Sequence, residues 1–114
     1  MFKIIWTESA SDSFSQIEKA ALTARKNRQG KRTKSSKQEG LFKQVHKTIQ
    51  LLEQNPRHPG LQTHEYTSLR HPYDPKQKVF EAYAQQQTPG AYRVFWCYGP
   101  DRGSITILAI TPHP

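Results

Sequence analysis

A chain of 114 residues can close around one modest core but not two, and its low apolar share of 34% is gathered in blocks. Together these exclude both a two-domain protein and a disordered one, leaving a single domain over 1–114. Seventeen Lys and Arg against nine Asp and Glu leave a net charge of +8, and the lone cysteine, Cys97, rules out an internal disulfide or a cysteine-rich zinc site.

The first block, "FKIIW" (Phe2 to Trp6), is short, aromatic and β-branched, as a buried strand should be. Thr7 or Ser9 can cap the helix that follows, in which Ala10, Phe14, Ile17, Ala21 and Ala24 recur at helical spacing. The stripe fades into a connection carrying Arg25, Lys26, Arg28, Lys31, Arg32, Lys34 and Lys37 with no acid among them. Such a run draws polyanions, nucleic acid first and an acidic protein second, or serves simply as a solvated loop. Ser36 and Glu39 have the spacing of a capping box, and Leu41, Val45, Ile49 and Leu52 carry a second helix to the stop at Asn55–Pro56. Two helices, each with one apolar stripe, predict an antiparallel hairpin on a sheet, the basic run at its tip.

The segment from Leu61 to Lys78 is polar and rich in proline, with room for a short strand at most. Then come "VFEAYAQ", "AYRVFWCY" and "SITILAIT", separated by the turn signals "TPG" and "GPDRG". These predict an antiparallel meander, and the whole order becomes β-α-α-β-β-β: an α+β domain with helices on one face of a small, mainly antiparallel sheet. No run of about 18 apolar residues is present to span a membrane. "MFKIIW" meets charge at Glu8 too soon for a secretory leader, so a cytoplasmic protein is expected.

Alternation along the middle strand sends Tyr92, Val94, Trp96 and Tyr98 towards the helices and Arg93, Phe95 and Cys97 to the other face. A hairpin centred on Asp101 sets Arg93 opposite Ala109. His113, locked between Pro112 and Pro114, then shares the face of Arg93 roughly 13 Å along the strand. A guanidinium that stabilises phosphate charge and an imidazole that donates a proton are the groups metal-free RNA cleavage requires. The plain readings are an arginine satisfied at a sheet edge and a solvated terminus. His58, His64 and His71 fall on loops at spacings matching no compact ligand motif, so no metal is expected. No glycine-rich phosphate loop or Ser-His-Asp order is present, and no cofactor is implied.

With "FKIIWTESA" at the start, "GAYRVFW" in the middle and "ILAITPHP" at the end, the chain resembles the RelE/ParE toxin superfamily over nearly its whole length. The basic connection and the stretch before Val79 lie outside the likeness. The resemblance implies the toxin of a type II toxin–antitoxin pair, neutralised by a small cognate antitoxin. RelE- and YoeB-like members cleave mRNA on the ribosome, whereas ParE-like members inhibit DNA gyrase; a degenerate relative that only binds RNA or protein is a third outcome. The phosphate-binding arginine of the family's "YR" strand falls on Arg93, and the terminal general acid of YoeB-like members falls on His113, which favours a ribonuclease. Lys and Arg of the basic run would then hold rRNA phosphates. The resemblance leaves the general base open. The YoeB-like glutamate falls near Gly60, and the RelE-like lysines fall in "VFEAY", where Glu81 is the ionisable side chain besides Tyr83; Glu81, Glu65 or His64 could serve. The tyrosine that follows the terminal histidine in the family is Pro114 here.

Overall fold

A computed structural model describes residues 1–28, 36–86 and 89–112. Strand β1 (Lys3–Trp6) leads into helix α1 (Glu8–Asn27), and α2 (Lys37–Gln54) returns alongside it. A short 3₁₀ turn (Pro59–Leu61) precedes β2 (His64–Glu65), β3 (Phe80–Tyr83), β4 (Tyr92–Tyr98) and β5 (Ser104–Pro112). The sheet order is β1-β5-β4-β3-β2, antiparallel except where β1 runs parallel to β5. That is the expected α+β arrangement. The chain reaches β1's neighbour only after the helices have crossed the sheet, which is what a parallel pairing demands.

Local chemistry sets the helix ends. Thr7 caps α1 by accepting from the Ala10 amide, and Ser36 with Glu39 forms the full capping box of α2. Glu39 does more than cap: it also takes two hydrogen bonds from the Arg28 guanidinium, at 2.7 and 2.8 Å. Both ends of the connection between the helices are thereby fastened to each other. Ala10 and Ile17 of α1 meet Val45, Ile49 and Leu52 of α2 over Val94, Trp96, Ile105, Ile107 and Ile110 of the sheet. Burial of these side chains, at about 1.5–3 kcal/mol for each large one, is the main source of stability.

The last hairpin departs from the simple register. Arg93 stands opposite Thr111, not Ala109: the hairpin pairs Tyr98 with Ile105, one residue off a centre at Asp101, and β5 adds a further residue between the Phe95–Ala109 and Trp96–Ile107 pairs. Thr7 fixes this bulge from across the sheet: its amide donates to the Ile107 carbonyl at 3.1 Å and its hydroxyl to the Leu108 carbonyl at 2.9 Å. Without the extra residue, alternation from Ile105 and Ile107 would send Ala109 into the core. With it, Ile110 goes in instead, and Ala109 and Thr111 join the face of Arg93. Two residues of sequence, and not four, then separate the partner of Arg93 from position 113.

Candidate functional site

The face turned away from the helices is divided in two. Residues 66–74 cross one half as a strap. The Tyr66 ring lies 4.6 Å from that of Phe95, and the Tyr73 hydroxyl is 2.9 Å from Thr106 Oγ1. His71, buried beneath, is the anchor. Its Nδ1 accepts from the amides of Tyr73 and Asp74 at 3.2 and 3.1 Å, which leaves Nε2–H to donate to the Tyr98 carbonyl at 2.8 Å. Phe95 and Cys97 are hidden as a result, and burial pushes the Cys97 thiol up to about 11.

The other half carries the charged groups. Arg93 is 8% exposed, and its guanidinium lies 3.8 Å from the centroid of the Tyr83 ring, its direct neighbour on β3. Nη1 donates to the carbonyls of Gln85 and Ala91 at 3.1 and 3.2 Å, with Tyr92 at 3.4 Å. Nε is buried with no partner at all, and no carboxylate comes within ion-pair distance among the described residues. A guanidinium out of water with a donor unused and no counter-ion is an unbalanced charge, and an anion would balance it.

Two further groups complete the cluster. Glu81, 9% exposed, follows the same alternation as Tyr83 and is paired across the ladder with Phe95 on one side and His64 on the other. The exposed His64 meets the Tyr83 ring edge-on at 5.4 Å between centroids. Glu65, the next residue of β2, pairs with Phe80, whose ring packs against Trp96 on the helix side. Alternation therefore directs Glu65 away from Arg93, and it sits 3.7 Å from Lys78 instead. Of the three groups open as a base, the ladder sets Glu81 and His64 on the face of Arg93 and Glu65 on the opposite one.

The remaining candidates are spread out. His113 lies outside the described residues, as do Lys31, Arg32 and Lys34. Arg25 and Lys26 are exposed near the end of α1, and Lys37 is exposed at the start of α2. Arg28 is committed to Glu39, which pulls the Glu39 carboxyl down to about 2, helped by the Ser36 amide. His58 accepts from the Gly60 amide at 2.9 Å and so closes the 3₁₀ turn. Among the described residues no three of His, Cys, Asp and Glu gather where a metal could be held, and no helix is long and apolar enough to cross a membrane.

A helical hairpin over one face of a five-stranded sheet is a fold this chain shares with solved toxins of the YoeB/ParE and RelE types. A YoeB/ParE toxin from Agrobacterium tumefaciens superposes on 99% of this chain and 100% of its own, with a TM-score of 0.64 at 9% identity. A chain of the archaeal RelE–RelB complex from Pyrococcus horikoshii OT3 covers 97% of this chain and 93% of its own, with a TM-score of 0.56 at 13% identity. No protein-family model matches the chain, and no curated protein matches it by sequence.

Proposed function

We propose that the protein is the toxin of a type II toxin–antitoxin pair and acts as a ribosome-dependent endoribonuclease on mRNA. One observation carries the reading: Arg93 is almost fully buried on the face away from the helices, and among the described residues its Nε has no partner and no carboxylate pairs with it. A scissile phosphate supplies the missing charge, and the charge gained on the phosphate oxygens in the transition state strengthens that contact. His113 is the proton donor to the leaving 5′-oxygen, and Arg25, Lys26 and Lys37 add non-specific attraction to rRNA. The fold shared with toxins, one of them solved in a RelE–RelB complex, supports a small cognate antitoxin as the protein partner.

The test is inducible expression with mRNA 5′ ends mapped. Growth arrest with new ends inside translated codons, lost in Arg93→Met and in His113→Ala, is the expected result. Arrest that persists in both variants while translation proceeds, or that coincides with inhibited DNA supercoiling, would refute the nuclease and favour a gyrase poison.

A further inference from the structure

We infer that His64 is the group that takes the proton from the attacking 2′-hydroxyl, and that Glu81 positions it. This rests on the nuclease reading and supplies the base that the resemblance leaves open. Three observations lead there. First, His64 is exposed at the edge of the arginine half of the face, whereas Glu81 is 9% exposed between its cross-strand neighbours Phe95 and His64. A substrate oxygen can approach the imidazole, while the carboxylate is screened behind it. Second, the Tyr83 ring is shared: Arg93 lies over it at 3.8 Å, and His64 meets its edge at 5.4 Å. Imidazole and guanidinium thus flank one ring, an arrangement in which each could meet a different oxygen of one phosphodiester. Third, Glu81 is paired directly across the ladder from His64, so it can orient the imidazole without touching substrate.

In the step this defines, the 2′-oxygen forms a bond to phosphorus as its proton passes to His64. The bond from phosphorus to the 5′-oxygen breaks, and that oxygen leaves with a proton from the general acid. The products are a 2′,3′-cyclic phosphate and a 5′-hydroxyl; no metal, oxidant or second reactant is consumed. Among the described residues, the titratable and charged groups facing His64 are Glu81 and Tyr83 of β3, with Arg93 of β4 beyond the ring.

The experiment is single-turnover cleavage of ribosome-bound mRNA by wild type, His64→Gln, Glu81→Gln and Arg93→Met across a range of pH, with folding of each variant checked by urea unfolding. His64→Gln should lose about 10²–10⁴-fold in rate, keep half-saturation within about twofold, and no longer show the rise in rate with pH that a base freed of its proton gives. Glu81→Gln should retain that rise with a smaller loss of rate. Arg93→Met should lose rate at every pH. If folded His64→Gln cleaves with the wild-type profile while Arg93→Met is dead, this assignment is wrong and the nuclease reading stands. If wild type leaves mRNA intact, both fall.

Discussion

Arg93→Met separates structural from functional roles more sharply than any other substitution. Methionine follows the aliphatic part of arginine and keeps contact with the Tyr83 ring, so little packing is lost. What goes is the pair of hydrogen bonds from Nη1 to the Gln85 and Ala91 carbonyls. At 3.1 and 3.2 Å they are long for charged donors, so each is set at the low end, about 1.5 kcal/mol. Removing the cation from the ring costs about 1 kcal/mol more. Against this, the buried Nε no longer lacks a partner, which returns about 2 kcal/mol. The net is a loss of about 2 kcal/mol, small enough to leave most domains folded. In urea, with a slope of about 1–3 kcal/mol per molar, the midpoint should fall by roughly 1 M. Cleavage should fall by about 10²–10³-fold, the usual effect of removing one preorganised charge contact from a transition state. A folded variant that cleaves like wild type would show that the unpaired guanidinium is not the phosphate site. A fall in stability beyond about 5 kcal/mol would show the arginine to be a structural keystone instead.

The two remaining predictions concern the frame around the site. Glu39 titrates near 2 when folded and near its ordinary 4.5 when unfolded. Its contribution to stability is therefore complete above that ordinary value and fades as pH drops towards 2. Urea midpoints of wild type and Glu39→Gln should differ most near neutral pH and converge in acid; a difference independent of pH would refute this. The Cys97 thiol, buried beneath the strap and pushed up to about 11, should resist alkylation in the native protein at pH 8 and react only as urea unfolds the chain. Stoichiometric labelling within minutes in buffer would show that the strap opens readily.

Most of the fold was legible because it is encoded locally. The capping residues Thr7, Ser36 and Glu39, the helical stripes, and the alternation that separates Arg93 from Val94 all act over a few positions. The site was legible only in part, since each missing piece depends on contacts between distant residues. The bulge in β5 exists because Thr7 reaches Leu108 across 101 positions of sequence, and no nearby signal such as a glycine announces it. Strand β2 is two residues long, too short for alternation to reveal, yet its register decides that His64 and not Glu65 shares the face of Arg93. Tyr83 is one of two aromatics in "VFEAYAQ"; its place beneath the guanidinium follows only from the pairing of β3 with β4. Arg28 read as one more free cation in a basic run, because its acid stands 11 residues away on the other helix.

The strap sharpens the case for a functional arginine. Where the sheet face serves stability alone, the chain covers it: Tyr66, His71 and Tyr73 close over Phe95, Cys97 and Thr106, and the side-chain polar atoms of His71 and Tyr73 are paired. At the other end the same sheet buries a cation with a donor unused, and no acid of the described chain answers it, although Glu81 stands on the same face one position diagonal to it. Taking a guanidinium out of water carries a desolvation cost, and a counter-ion within the fold would offset it. A structural role would favour a direct pairing with Glu81. A site that receives an anion from outside favours what is seen, because a carboxylate already bound to Arg93 would compete with every incoming phosphate.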